Sequence, residues 1–251
     1  MKLTGRTVLI TGGTSGIGLE LAAQLLARDN VVIVTGRDDK AIEAAKGRHP
    51  GLHAFRSDVG DADEIRRLHA DVTARFPRLD TLVNNAGIMR NLKLAEDRSL
   101  EDVTREIDID LSGPIRMVQQ FLPHLQRSPE ALIVMVSSGI AFVPFSIAPV
   151  YSAAKAGVRA YTRCLRTQLA NGGVRVVELA PPGTETPLMK AEFATMDGAR
   201  NMPVETLVRH AITGIETGKT DIRPGLSKVL SIAGRVAPDL VFNQMSKAAA
   251  A

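Results

Sequence analysis

Short runs of aliphatic and β-branched residues alternate along the chain with longer segments in which apolar positions recur every three or four residues. The short runs are typical of buried strands, and the longer segments are typical of helices that pack one face on a sheet. Strands are predicted near residues 7–11, 31–35, 52–57, 80–84, 131–137 and 174–180. Helices are predicted near residues 16–28, 39–47, 61–75, 99–126 and 150–171. This alternation predicts an α/β fold in which helices cover both faces of a parallel sheet.

A glycine-rich turn separates the first predicted strand from the first predicted helix, with the spacing Gly12-x-x-x-Gly16-x-Gly18. A strand, a tight glycine turn and a helix N-terminus can bind a pyrophosphate. Backbone N–H groups and the helix dipole face the anion there, and no Cβ atom blocks its approach. Taken alone, such a turn also has a purely structural interpretation, so the prediction depends on a second motif.

The second motif is Tyr151-x-x-x-Lys155, with Ser138 upstream of it. A phenol loses its proton only near pH ~10. A lysine four residues later on a helix lies on the same face as the tyrosine, and its positive charge favours the phenolate. A nearby serine hydroxyl can hold the same substrate oxygen. The motif therefore predicts acid–base chemistry for interconverting alcohols and carbonyls, and this chemistry requires a hydride carrier.

From about residue 3 to residue 190 the chain resembles the classical short-chain dehydrogenase/reductase family. The glycine turn matches the family's cofactor turn, and Asp58-Val59 matches the pair that meets the adenine ring. The segment 84–87 (Asn-Asn-Ala-Gly) matches a family strand end, and residues 138, 151 and 155 match the catalytic serine, tyrosine and lysine. The resemblance implies a Rossmann-type fold. It also implies hydride transfer between NADP(H), or NAD(H), and a carbonyl or alcohol substrate.

The resemblance also assigns roles to individual positions. Tyr151 would exchange the hydroxyl proton, Lys155 would lower its pKa and hold the ribose, and Ser138 would bind the reacting oxygen. Thr186 lies where the family hydrogen-bonds the nicotinamide carboxamide. The residues implied to bind the cofactor lie at the C-terminal ends of the strands. They are Gly12, Thr14, Ser15, Gly16, Ile17, Gly18, Arg37, Asp58, Val59, Asn85, Ala86, Gly87, Tyr151, Lys155, Pro181, Thr184 and Thr186.

Two positions depart from the family pattern. Asp110 stands where the family has a fourth catalytic residue, an asparagine at a helix kink whose main-chain carbonyl and a water carry protons to the lysine. Aspartate and asparagine have the same main-chain carbonyl, so this part of the relay is kept. A carboxylate near Lys155 would, however, favour the charged ammonium group and change the pH optimum. Pro182 stands where glycine is commoner, and we expect little effect from it.

The end of the second strand bears on the choice of nicotinamide cofactor. An acidic residue there binds the ribose hydroxyls and repels a 2′-phosphate, but this chain has Gly36 at that position. Arg37 follows and could bind a phosphate bidentately, which favours NADP(H). The alternative interpretation is that Arg37 is a solvated loop residue and that NAD(H) is used.

The substrate end of the site is less distinctive. Residues 139–150 are nearly free of charge and form either an apolar pocket wall or a packed loop or subunit contact. By resemblance, residues 187–203 form a substrate lid. The C-terminal extension, residues 219–251, contains an amphipathic segment at 228–236 and a second short helix to about Lys247. Its default interpretation is core packing or a dimer contact, and a membrane-surface or lid role is a weaker one.

The length, the composition and the cysteine count of the chain limit its possible domain organisation and cellular location. The 251 residues suit one domain, and 45% hydrophobic and 23% charged residues are ordinary values. The single cysteine, Cys164, excludes an intrachain disulfide, fits a reducing cytoplasm and is expected to be packed. Met1 leads directly into the first strand and no apolar run is long enough to span a membrane, so we expect neither a signal peptide nor an integral membrane segment.

The net charge of +4 raises the possibility of nucleic-acid binding, but the basic residues are scattered and aromatic residues are few. The histidines have no ligand-like spacing, so no metal site is expected. By resemblance, the helices at 99–126 and 150–171 form a dimer interface, which predicts a homodimer or homotetramer. The rival function is a nucleotide-binding sensor or scaffold without turnover, and its only support is Asp110.

Overall fold

A seven-stranded parallel sheet organises the chain in the computed structural model, which describes residues 1–189 and 201–250, with side chains to residue 247. The strand order is β3-β2-β1-β4-β5-β6-β7, so the order reverses between β1 and β4. The strands are β1 (Thr7–Ile10), β2 (Val31–Gly36), β3 (His53–Arg56), β4 (Thr81–Asn84), β5 (Ala131–Val136), β6 (Val174–Leu179) and β7 (Asp221–Ile222).

Helices connect the strands and cover both faces of the sheet. They are α1 (Gly16–Leu26), α2 (Asp39–Arg48), α3 (Ala62–Arg75), α4 (Leu100–Ile107), α5 (Gly113–Leu125), α6 (Pro149–Gln168), α7 (Val204–Glu216), α8 (Leu226–Val236) and α9 (Pro238–Ala250). Side chains cap several of their N-termini. Asp38 accepts a hydrogen bond from the Lys40 N–H at α2, and Asp61 and Ser99 cap α3 and α4 in the same way.

The core has two layers, because successive strand residues point to opposite faces of the sheet. Val8 and Ile10 of β1 pack with the helices of one face, including Leu25 of α1. Leu9 points the other way and packs with α3, α5 and α6, where Phe121 is the largest fully buried side chain. All of these strand residues have no exposed surface. The sheet is therefore buried on both sides, as its aliphatic strand sequences predict.

The predicted fold class is confirmed, with two corrections in detail. β7 was not predicted, because a strand of two residues leaves no pattern in a sequence. The single helix predicted at 99–126 is wrong: a π-helical turn at Asp108–Ser112 separates α4 from α5. Pro114 supplies a reason, since it has no N–H to give the usual helical hydrogen bond to the carbonyl of Asp110. This carbonyl is the one that the resemblance places in a proton relay.

Three other expectations concern the later part of the chain. Most of the predicted lid at 187–203 falls on residues 190–200, which lie outside the described residues. Cys164 is exposed on α6 rather than packed, because it lies on the opposite side of the helix from the buried residues Thr162 and Leu165. Within the described ranges, no helix is both long and apolar enough to cross a membrane.

Candidate active site

A cavity of about 430 Å³ opens at the C-terminal ends of the strands, beside the point where the strand order reverses. Parallel sheets bind ligands at this place, because the loops from several strand ends converge there. Every residue predicted to bind the cofactor lines this cavity except Gly18, and Ser138 lines it as well. Gly18 and Asp110 lie behind the wall, in contact with residues that line it.

The glycine turn is shaped by close contacts that leave no room for side chains. Gly12 and Gly16 have φ angles of +63° and +53°, which favour glycine. A Cβ atom on Gly12 would lie 2.8 Å from the Cα atom of Ala86, and one on Gly18 would lie 2.4 Å from the carbonyl oxygen of Gly12. The backbone of the turn is therefore directly accessible from the cavity.

The start of α1 is suited to an anion. Among the described residues no side chain caps it at Ser15, and its first turn has no acidic residue, whereas α2 and α3 begin with aspartate caps. Its first N–H groups and the positive end of its dipole thus remain available to a ligand. These features fit the pyrophosphate of a dinucleotide.

Hydrogen bonds from β4 hold the glycine turn in place. The Thr11 hydroxyl accepts hydrogen bonds from the backbone N–H groups of Asn85 and Ala86, both at 3.0 Å. The Asn85 side-chain amide donates to the carbonyl oxygens of Thr11 and Gly12, also at 3.0 Å. The Asn85 side chain therefore holds the glycine turn in position.

Tyr151, Lys155 and Ser138 converge on the cavity. Tyr151 and Lys155 lie one turn apart on α6 and are 9% and 3% exposed. The ammonium nitrogen of Lys155 lies 5.4 Å from the centre of the Tyr151 ring and donates a hydrogen bond to the carbonyl of Val136, at 3.3 Å. The side chain of Ser138, at the end of β5, hydrogen-bonds to Tyr151. The structure thus brings together the three residues that the sequence motif predicted.

Electrostatics around these groups differ from the sequence-based expectation. Burial raises the pKa of Tyr151 above its usual value, the charge of Asp110 raises it further, and only the Ser138 hydrogen bond lowers it. The direction is opposite to the one expected from the neighbouring lysine. Burial also lowers the pKa of Lys155, while Asp110 opposes that change. The effect of the lysine on the phenol is weakened because a carboxylate pairs with its charge.

Asp110 lies in the π-helical turn and is fully buried. Its Oδ1 accepts a hydrogen bond from the Ile88 N–H at 3.0 Å and lies 3.8 Å from the Lys155 Nζ. Its Oδ2 has no hydrogen-bond partner among the described residues. Burial outweighs the attraction of Lys155 and raises the pKa of Asp110 to about 7. A Cβ atom on Gly87 would lie 2.4 Å from Oδ1, so only glycine fits beside this carboxyl group.

Arg37 lines the opposite end of the cavity, next to the end of β2. Its guanidinium Nη1 lies 3.3 Å from Oδ2 of Asp58, and the two side chains are 42% and 31% exposed. A Cβ atom on Gly36 would lie 2.6 Å from Cγ2 of Thr14. Any side chain at position 36 would therefore require the Thr14 side chain to move.

The apolar wall of the cavity was only partly anticipated. Ile140 and Phe145 of the charge-free segment do line it, as one of the two interpretations predicted. Sequence reasoning missed the other apolar lining residues, which come from distant parts of the chain. They are Ile88, Met89, Ile109, Val136, Leu226, Leu230 and Met245, whereas Leu188 and Met189 belong to the lid predicted at 187–203. The apolar spacing of α8 was visible in the sequence, where a lid role for this segment was only the weaker interpretation.

The described ranges contain no group of three or more histidine, cysteine, aspartate or glutamate residues that could hold a metal ion.

Comparisons with known proteins point to one family. The family described as short chain dehydrogenase matches residues 6–197. The uncharacterized oxidoreductase DltE of Bacillus subtilis is 38% identical over 249 residues, which cover 98% of each chain. A short chain dehydrogenase from Burkholderia cenocepacia, solved in complex with NADP, has a TM-score of 0.84 at 21% identity and covers 98% of this chain and 99% of its own.

A second solved structure is similar at higher identity. The 3-ketoacyl-(acyl-carrier-protein) reductase from Brucella melitensis, complexed with NADH, has a TM-score of 0.78 at 28% identity. The match covers 85% of this chain and 91% of that one.

Proposed function

We propose a specific activity from the premise that the chain belongs to the short-chain dehydrogenase family. As a member it is an oxidoreductase that uses a nicotinamide nucleotide and interconverts a carbonyl and an alcohol. Within that chemistry, our proposal is NADP(H) as the preferred cofactor and a largely apolar substrate. The observation that carries the proposal is the convergence of Ser138, Tyr151 and Lys155 on a cavity with an apolar wall.

The cofactor would bind along the strand ends. The N–H groups at the start of α1 and the backbone of the glycine turn would bind the pyrophosphate. Asp58 and Val59 would meet the adenine ring, and Thr186 would bind the carboxamide of the nicotinamide. When bound, the nucleotide supplies the hydride for reduction or accepts it in oxidation.

Proton transfer would be carried out by Tyr151 and Lys155 on α6, with Ser138, which follows β5. In reduction the Tyr151 hydroxyl donates its proton to the substrate oxygen, and in oxidation the phenolate takes the proton back. The Ser138 hydroxyl donates a hydrogen bond to the same oxygen and so fixes its position. Lys155 would hold the ribose and, after reduction, return a proton to the Tyr151 phenolate. The Asp110 carboxyl group lies 3.8 Å from the Lys155 Nζ, and its main-chain carbonyl in the π-helical turn would take part in the relay that returns a proton to Lys155.

Arg37 supports NADP(H) as the preferred cofactor. Its guanidinium group borders the cavity where the family's acidic residue would repel a 2′-phosphate, and Gly36 leaves that place empty of negative charge. A planar guanidinium group binds a phosphate bidentately. The competing carboxylate of Asp58 weakens this contact without removing it.

The apolar wall supports a substrate with a substantial hydrocarbon part. Met89 and Ala148 are buried against Tyr151, and Ile140, Phe145 and neighbouring apolar side chains pack around them. Placing a polar substrate here would leave its polar groups without partners, which costs free energy.

We also propose an oligomeric state and a cellular compartment for the protein. Leu100, at the start of α4, is 78% exposed and lies within the helical region that would form a dimer interface. This exposed leucine supports a homodimer or homotetramer built through α4, α5 and α6. The lone cysteine supports a reducing compartment such as the cytoplasm.

Replacing Tyr151 with phenylalanine tests the activity. We expect Tyr151→Phe to abolish turnover of a panel of ketones, aldehydes and alcohols while NADPH binding, measured by fluorescence, stays within about twofold, because the hydroxyl alone carries the proton. The matched control is Tyr161→Phe, which changes the only other tyrosine, on the same helix but outside the cavity. Turnover by the Tyr151 variant at the wild-type rate would refute the assigned role. Tight nucleotide binding without turnover by the wild type would instead support a sensor.

A further inference from the structure

Helix α8 packs one side against the protein and exposes most of its aliphatic residues on the other side. Ser227, Leu230 and Ser231 are its buried residues, and Ser227 and Leu230 lie close to Gly139 in the segment that follows Ser138. A Cβ atom on Gly139 would lie 2.7 Å from the Ser227 hydroxyl oxygen, so the contact is close. This side of the helix is therefore buried against the segment that follows Ser138.

The opposite side of α8 is apolar and exposed. We give the name α8 ridge to Leu226, Val229, Ile232 and Val236 of α8 together with Leu240 of α9; they are 58%, 56%, 57%, 80% and 60% exposed. At roughly 100° per residue, positions 229, 232 and 236 lie directly opposite the buried face of the helix. Among the described residues, five of the eight large hydrophobic side chains that are exposed belong to this ridge. Such clustering indicates an interaction surface, since scattered exposed apolar residues are the rule.

Basic residues border the α8 ridge. Lys228 and Arg235 are exposed along one edge of α8, and Lys247 is exposed on α9. Asp239 is the only acidic residue between positions 226 and 247, so three positive charges stand against one negative charge. An apolar stripe with a basic border is the pattern of helices that lie on anionic lipid surfaces.

We propose that the α8 ridge docks on an anionic lipid surface. The aliphatic side chains would enter the interface between headgroups and acyl chains, and the basic border would pair with lipid phosphates. A second copy of the chain fits less well, because a two-fold contact between two ridges would bring basic borders of both copies together. Leu226 and Leu230 also line the cavity, so docking would place its apolar wall next to the lipid.

Vesicle binding tests the proposal with the full-length protein. We expect the protein to sediment with vesicles of equimolar phosphatidylglycerol and phosphatidylcholine but not with pure phosphatidylcholine vesicles. Binding should weaken as NaCl rises from about 0.05 to about 0.5 M. Ile232→Gln should weaken binding about tenfold by removing one aliphatic anchor. The double variant Lys228→Gln/Arg235→Gln should weaken vesicle binding roughly thirtyfold, because it removes two basic residues that each attract the anionic lipid surface.

Matched controls distinguish docking through the α8 ridge from nonspecific adsorption to vesicles. Leu94→Gln changes a leucine that is 70% exposed but lies outside the ridge, and it should bind vesicles like the wild type. The proposal is overturned if the wild type does not bind anionic vesicles, or if Ile232→Gln and Leu94→Gln have the same effect. It is also overturned if Ile232→Gln lowers the oligomeric state in sedimentation equilibrium, since a second copy would then cover the ridge. Tyr151→Phe should bind vesicles normally, so failure of the proposed function would leave this test unaffected.

Discussion

Arg37→Ala gives the sharpest test of cofactor preference. Two unit charges 4 Å apart attract with about 1 kcal/mol at the dielectric constant of water and about 4 kcal/mol at an effective value of 20. Arg37 is 42% exposed and already paired with Asp58 at 3.3 Å, so the lower part of this range applies. A loss of about 1 to 2 kcal/mol corresponds to a five- to thirtyfold weaker affinity, to within roughly a factor of two. We expect this loss for NADPH and almost no change for NADH.

Isothermal titration with both nucleotides measures the effect directly. The matched control is Arg56→Ala, because Arg56 on neighbouring β3 makes an ion pair of the same 3.3 Å length, with Glu64, and does not line the cavity. Equal losses for NADPH and NADH would show that Arg37 acts on the shared part of the cofactor. A wild-type protein that binds NADH more tightly than NADPH would contradict the inference from the end of β2 altogether.

Two further predictions concern the interior of the site. Asp110→Asn removes a charge that raises the pKa of Tyr151, so the pH profile of alcohol oxidation, which needs the phenolate, should move to lower pH. Because the pKa of Asp110 is about 7, variant and wild type should differ more above pH 7 than below it, and a profile that is unchanged or moves to higher pH would contradict this. Gly18→Ala places a Cβ atom 2.4 Å from the Gly12 carbonyl oxygen, so it should lower stability by about 1 to 3 kcal/mol in urea unfolding and weaken nucleotide binding at least about tenfold. Gly47→Ala on α2, where a Cβ atom meets nothing within 4 Å, should not destabilise the protein, and equal losses in both variants would disprove the steric argument.

The sequence anticipated features that depend on local spacing. Tyr151 and Lys155 share a face because four residues make about one helical turn, and this holds wherever the helix packs. Five of the longer strands were predictable in the same way, since a run of buried aliphatic residues leaves a pattern along the chain, whereas β3 has fewer aliphatic residues and is only partly buried. The glycine turn was predictable because its backbone conformation requires residues without side chains, as at Gly12 and Gly16.

Other features involve residues far apart in the chain. Asp110 meets Lys155 only because the π-helical turn and α6 pack side by side, and the raised pKa of Tyr151 follows from the burial that this packing creates.

What the sequence determined by itself was the fold class, the glycine turn and the shared helical face of Tyr151 and Lys155, because each follows from the spacing of residues along a short stretch of chain. Only the tertiary structure decided which apolar residues form the cavity wall and which face of α8 is exposed. The sequence showed that α8 is amphipathic, but its apolar positions were expected to be packed. The structure instead directs Val229 and Ile232 to solvent, because the opposite side of α8 carries Ser227 and Leu230, which lie close to Gly139. Such a choice depends on the shape of the partner surface, and a single sequence does not contain that shape.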